Sequence, residues 1–130
     1  GYGWKSINDV YFKNSLTVLT QIISDNFQNR VVTDAGVKVM SGGHSDVDTV
    51  VLVQADGEYI DFKRVGLSEE HGTIYFEKDD PGRKKLRWGQ KIQFTPNHCC
   101  TTVNQHDEIV VIKDEKVCAV WPITARGRYQ

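Results

Sequence analysis

Hydrophobic positions in this chain fall in short runs rich in valine, isoleucine, threonine and aromatic side chains, separated by glycine, aspartate, asparagine and serine. Runs of that kind, bounded by turn residues, predict β-strands. Leu16-Thr17-Val18-Leu19-Thr20-Gln21-Ile22-Ile23, within residues 15–25, reads as a strand, although its length leaves a helix open. Residues 30–33 read as a second strand. Asp34-Ala35-Gly36 then reads as a turn before Val37-Lys38-Val39-Met40, and Ser41-Gly42-Gly43-His44-Ser45-Asp46 as a mobile surface loop. Residues 49–54 and 58–65 are β runs flanking Ala55-Asp56-Gly57. Asp56-Gly57 is the strongest hairpin signal, because a type I′ turn needs positive φ and this pair tolerates it. Residues 73–76 read as a strand, 78–85 as a charged loop and 90–95 as a further strand. Residues 108–112 and 116–121 flank Asp114-Glu115 as a second hairpin, stopped by Pro122. No amphipathic helix longer than two turns, internal repeat or low-complexity segment stands out. The expected fold is mostly β, a small antiparallel barrel or sandwich with those two turns at hairpin ends.

Composition narrows the partners. A chain of 130 residues is one domain's worth and can bury one core without disulfide staples. The 16 basic and 17 acidic residues nearly cancel, which argues against nucleic acid or an anionic membrane as partner. No apolar run approaches the roughly 18 to 20 residues of a membrane span, and no signal-peptide pattern opens the chain. Three cysteines, two of them adjacent, do not form a disulfide framework, so a reducing compartment is expected, the cytoplasm by default. Gly1 opens the chain and Met40 is the only methionine, so the sequence reads as a piece of a longer protein.

The densest chemistry lies in Pro96-Asn97-His98-Cys99-Cys100-Thr101-Thr102-Val103-Asn104, directly after Lys91-Ile92-Gln93-Phe94. If the strand continues, His98 and Cys100 share a face with Cα atoms roughly 6.7 Å apart, and one cation could take an imidazole nitrogen and a thiolate from them. Cys99 would point the other way, toward the core. Structural zinc sites take four protein ligands, usually as two spaced pairs, and those pairs are missing. Cys118, between Val117 and Ala119, reads as part of an apolar strand. The spacing therefore supports at most an open site with two ligands from this loop. The plainer alternative is a hydrogen-bonded loop histidine with both cysteines buried, and H-x-C by itself favours that alternative.

Asp34-Ala35-Gly36-Val37-Lys38, Ser68-Glu69-Glu70-His71-Gly72, the Pro96 to Asn104 stretch, and Trp121-Pro122 with Ala125-Arg126-Gly127-Arg128 together resemble the C-terminal domain of the D-serine dehydratase and D-threonine aldolase group. The four motifs occur in the same order over almost the whole chain. These enzymes are similar to alanine racemase, fold type III: an N-terminal α/β barrel carries pyridoxal 5′-phosphate on a lysine, and a C-terminal β domain covers it. The resemblance implies that this chain is the second domain, that the barrel and its Schiff-base lysine lie elsewhere, and that the isolated piece is inactive. Lys38 follows the Asp34-Ala35-Gly36 turn but reads as solvated, not as the cofactor lysine.

The resemblance further implies that His98 and Cys100 hold a metal, zinc first and manganese a distant second, since thiolate with imidazole suits zinc. Such a metal would act on the β-hydroxyl of a D-amino acid, for dehydration or for Cα–Cβ cleavage, with pyridoxal phosphate as electron sink. The implied partners are that substrate, the barrel of the same or a neighbouring subunit, and a second copy in a homodimer. Glu69, Glu70 and His71 offer a carboxylate to orient His98, with a solvated surface turn as the equal alternative. His106-Asp107 follows the same logic with less support, and His44 reads as solvated. Trp4, Trp88 and Trp121 are candidates for an apolar patch near the metal residues, or for core. Two other classes stay open: an amino-acid racemase-like domain, and a non-catalytic β module for binding or assembly. A cysteine nucleophile served by His98 is disfavoured, because neighbouring strand side chains diverge.

Overall fold

A computed structural model describes residues 4–7, 10–41 and 50–128. His44 and the side chain of Trp4 lie outside the described residues. The described elements are β1 (Trp4–Ile7), β2 (Val10–Lys13), β3 (Val18–Phe27), β4 (Arg30–Thr33), β5 (Val50–Ala55), β6 (Glu58–Ile60), β7 (Arg64–Leu67), β8 (Gly72–Tyr75), α1 (Pro81–Lys84), β9 (Lys91–Pro96), α2 (Cys99–Val103), β10 (Glu108–Lys113) and β11 (Lys116–Pro122). All pairings are antiparallel, and the fold is the mostly β one expected.

Seven strands form one sheet in the order β6-β5-β9-β3-β4-β8-β7. Chain connectivity dictates its curvature. Consecutive strands β6 and β7 occupy opposite edges, yet only residues 61–63 join them. Flat, the two edges would stand about 29 Å apart at the usual strand spacing. From Ile60 to Arg64 the chain reaches at most about 15 Å. The sheet therefore curls into a half-barrel, and Lys63 N–H, donating to Tyr75 O at 2.8 Å, extends the β7-β8 ladder into the connecting residues. Two separate two-stranded ribbons, β1-β2 and β10-β11, complete the described strands.

Alternation supplies the core. Val18, Thr20 and Ile22 of β3, Val31 and Thr33 of β4, Ile74 of β8, and Ile92 and Phe94 of β9 all face inward and are buried. Val53 and Ala55 of β5 and Ile60 of β6 join them, with Met40, Phe76 and Leu86 closing the ends. The buried Gln90 is satisfied: its Oε1 accepts from Arg87 N–H at 3.1 Å and its Nε2 donates to Asp56 at 2.8 Å. That second bond pins the Asp56-Gly57 turn, whose φ values of 49° and 81° are those of a type I′ hairpin.

Three local features differ from the sequence pattern or add to it. The run at residues 58–65 is two strands, because Asp61 to Lys63 carry the crossing from one edge of the sheet to the other. Val37 to Met40 are a turn, closed by Val39 and Met40 N–H groups donating to Gly36 O. Within the charged loop, Pro81 starts a single helical turn because the Asp80 carboxylate caps it, accepting from Gly82 N–H at 2.7 Å.

Candidate functional site

One rim of the half-barrel collects the ends of β4, β7 and β9 and the starts of β3, β5 and β8. The loops on that rim are residues 34–41, 68–71 and 97–107. They are stitched together through the backbone. Val37 N–H donates to Ser68 O at 2.9 Å and Lys38 N–H to Glu69 O at 3.3 Å. The approach is close enough to require glycine: a Cβ on Gly36 would stand 2.3 Å from Glu69 O, and one on Gly72 would stand 2.6 Å from Ala35 O. Asp34 anchors the first loop to β3, accepting from the Thr20 hydroxyl at 2.6 Å and from Gln21 N–H at 2.9 Å. Burial alone would raise the Asp34 pKa, but these hydrogen bonds to the charged form, with a smaller contribution from His71, hold it below the ordinary carboxylate value.

The strand assumed to run through His98 and Cys100 ends at Pro96. His98 keeps extended backbone (φ −120°, ψ 105°) as the N-cap of α2, and Cys100 is the second residue of that helix. The period-two argument for a shared face therefore does not apply here. Cys99 is exposed, not core, because a helical turn on the rim carries it to the surface instead of the barrel interior. Cys100 is exposed as well, and the two sulfurs stand 4.0 Å apart. His98 is half-buried. Among the described residues, no group of three or more His, Cys, Asp or Glu side chains is gathered to hold a metal ion.

Thr102, which the sequence reading passed over, holds this turn in place. It is 2% exposed; its hydroxyl donates to His98 O at 2.8 Å and accepts from Ser41 N–H at 3.2 Å. The signal was available in principle, since a threonine four residues after a helix start can bond back to that carbonyl. His106 makes the second tie, its Nε2 bonding to Val39 O at 2.7 Å. An open groove of about 630 Å³ runs beside Cys100, lined by Ser41, Thr101, Asn104 and Gln105. The buried Oε1 of Gln105 has no hydrogen-bond partner among the described residues.

The other candidates have structural partners. Glu70 pairs with Lys38, both side chains being largely exposed. Glu69 contributes its backbone carbonyl to the Lys38 amide. Asp107 pairs with Arg126, whose Nε donates to Asn104 O at 3.3 Å, while Gly127 N–H donates to the Asn104 side chain at 3.1 Å. Ile123 N–H completes this seam on Asp107 O at 2.8 Å. The segments at residues 34–38, 68–72, 96–104 and 121–128, far apart in sequence, thus form one continuous assembly around α2.

The model of the family described as "Putative serine dehydratase domain" matches residues 15–112. The chain belongs to that family. It is 33% identical over 124 residues to a 3-hydroxy-D-aspartate aldolase of Paracoccus denitrificans, covering 95% of this chain and 29% of the aldolase. It is 31% identical to a D-threonine aldolase of an Arthrobacter species, covering 89% of this chain and 28% of that enzyme. The chain thus spans less than a third of the length of these two curated relatives. It also covers 86% of an uncharacterized Mycobacterium tuberculosis protein, at 27% identity. Among solved structures, the D-threonine aldolase of Filomicrobium marinum superposes with a TM-score of 0.67 at 31% identity, covering 89% of this chain and 29% of that one. An alanine racemase-like protein of Idiomarina loihiensis gives 0.67 at 25%, covering 82% and 30%. D-threo-3-hydroxyaspartate dehydratase of a Delftia species, at 19% identity and a TM-score of 0.66, shares the fold.

Proposed function

We infer that this chain is the metal-holding β domain of a pyridoxal-phosphate-dependent lyase acting on β-hydroxy-D-amino acids, of the D-threonine aldolase or D-serine dehydratase type. The observation that carries this reading is the match to two aldolases of such substrates over about nine-tenths of the chain, with His98-Cys99-Cys100 on the rim where the loops at residues 34–41, 68–71 and 97–107 meet. The names of both aldolases put the hydroxyl at the β carbon of a D-amino acid.

The donor set fits zinc with open positions: His98 offers an imidazole nitrogen and Cys100 a thiolate, and manganese would prefer oxygen. When bound, zinc would supply Lewis acidity at the substrate β-hydroxyl, and pyridoxal phosphate, carried by a barrel of the same or a neighbouring subunit, would supply the electron sink. Thr102 fixes the backbone that carries His98, and Ser41 is tied to it. Thr101, Asn104 and Gln105 give the groove beside Cys100 a polar wall that orients a small polar substrate. The apolar ribbon β10-β11, with Val110, Ile112, Val117, Val120 and Trp121 exposed, is the surface assigned to the neighbouring barrel, in a homodimeric parent.

Chelation of the full-length parent should abolish release of glycine from D-threonine or of ammonia from D-serine and 3-hydroxy-D-aspartate, and added zinc should restore it. His98→Ala and Cys100→Ser should lose both bound zinc and activity. Turnover by residues 1–130 alone refutes the two-domain reading. Inactivity of the parent toward every β-hydroxy-D-amino acid tried removes the lyase assignment and leaves the racemase-like alternative.

A further inference from the structure

Cys99 has no part in the ligand pair just described, yet its thiol stands beside that of Cys100. Both side chains are exposed, and their sulfurs are 4.0 Å apart. Two thiolates on one tetrahedral centre with bonds of about 2.3 Å lie roughly 3.8 Å apart. Trivalent arsenic is pyramidal, with smaller S–As–S angles than a tetrahedral centre, so the exposed pair clamps it by a short side-chain rotation that brings the sulfurs somewhat closer. Disulfide formation asks for something different. Bonded sulfurs sit about 2.04 Å apart on Cα atoms usually 4.4–6.8 Å apart. Neighbouring Cα atoms across a trans peptide are about 3.8 Å apart. As the first two residues of α2, the cysteines are held by a helical backbone that favours the dithiol over the ring.

We propose that Cys99 and Cys100 form a bidentate dithiol site for a thiophilic centre of the trivalent arsenical class. With phenylarsine oxide the step balances without redox change: two As–S bonds form, two S–H bonds and the As–O linkage break, and oxygen leaves as water with both thiol protons. Arsenic remains trivalent. Cys118 is excluded from the clamp, since it lies on β11 with its thiol donating to Val111 O at 3.4 Å. The site uses Cys99 where the zinc reading uses His98, and both need Cys100. Arsenical capture and zinc binding therefore exclude one another.

The test is a titration of the reduced, metal-free protein with phenylarsine oxide, followed by counting residual thiols with a chromogenic disulfide reagent. One equivalent should protect two of the three thiols. Dimercaptopropanol should reverse the protection, and the same concentration of a monothiol should not. Cys99→Ser and Cys100→Ser should each weaken capture about a hundredfold or more, because the second sulfur then no longer acts at high effective concentration. Cys118→Ser and His98→Ala should capture as the wild type does, with folding of every variant checked by circular dichroism. Undiminished capture by Cys99→Ser, loss of capture in Cys118→Ser, or dependence on His98 would each overturn the proposal. Zinc retention in Cys99→Ser is read separately, so failure of the dithiol clamp is distinguishable from failure of the zinc site.

Discussion

Thr102→Val exchanges a hydroxyl for a methyl group at a position that is 2% exposed, leaving the shape of the side chain nearly unchanged. Two hydrogen bonds disappear: the one donated to His98 O at 2.8 Å and the one accepted from Ser41 N–H at 3.2 Å. A typical bond contributes about 0.5–1.5 kcal/mol net, and a partner left buried and unpaired costs about 1–3 kcal/mol. Both bonds are only partly buried, so water relieves some of that loss, and the expected destabilisation is about 1–3 kcal/mol. For a domain of this length roughly 3–5 °C of melting temperature accompanies each kcal/mol, giving a fall of roughly 3–15 °C. Thr102→Ser keeps the hydroxyl and removes one buried methyl group, at about 1 kcal/mol. Urea denaturation gives the free energies, and hydrogen exchange at the Ser41 amide reports on the bond itself. Protection of that amide should drop in Thr102→Val and persist in Thr102→Ser. A valine variant within 0.5 kcal/mol of wild type, or a serine variant as damaged as the valine one, would refute the argument that the hydroxyl holds the rim.

Gly36→Ala should destabilise by about 1–3 kcal/mol or prevent folding, since the new Cβ would meet the Ser68 and Glu69 carbonyls, which are backbone and cannot rotate away; thermal melts of Gly36→Ala beside Gly57→Ala, where no atom lies within 4 Å, separate crowding from backbone strain. For Asp34 the folded pKa is depressed, so its contribution is fully present above the unfolded value and lost as pH falls through the folded one. Asp34→Asn should accordingly flatten the loss of stability below about pH 4, measured by denaturation at stepped pH; an unchanged acid limb would contradict it. Glu115 sits at φ 60° in the second hairpin turn, and Glu115→Gly should stabilise the domain by about 0.5–1 kcal/mol of relieved strain, read as a higher melting temperature.

The fold was legible because the alternation of small β-branched residues survives in β3, β4, β8 and β9, where one face meets the core and the other meets water. The Asp56-Gly57 turn was legible for a different reason, namely that few dipeptides accept positive φ twice. What periodicity could not convey was strand order. Nothing in residues 58–65 announces that Asp61 to Lys63 carry the chain from one edge of a seven-stranded sheet to the other, since that depends on sheet closure, a global property. Around His98 the difficulty was local. Cysteine, threonine and valine are all compatible with a strand, so Lys91–Pro96 seemed to run on. The helical turn is fixed instead by the Thr102 and His106 ties to residues 39–41, contacts between segments about sixty residues apart.

The second hairpin shows where alternation stops informing. In its register Val110 faces Val120 and Ile112 faces Val117 on one side, while Ile109 faces Trp121 and Val111 faces Ala119 on the other. Both faces are apolar, whereas an antiparallel ribbon with one solvated face should alternate with polar residues. Ile109, Val111 and Ala119 are half-buried, and Val110, Ile112, Val117, Val120 and Trp121 are exposed, Trp121 by 58%. A two-stranded ribbon is marginal alone, and this one is fastened at its base, where Asp107 receives Ile123 N–H and Arg126. The more exposed side of the ribbon thus keeps a row of valine and isoleucine that stays 48–63% exposed among the described residues. A contiguous patch of this kind is a cost to a free monomer and an asset to an assembly. That is the physical ground for proposing this ribbon as the surface a partner domain would cover, and not the outer face of β3, where Leu19, Gln21 and Ile23 mix apolar with polar.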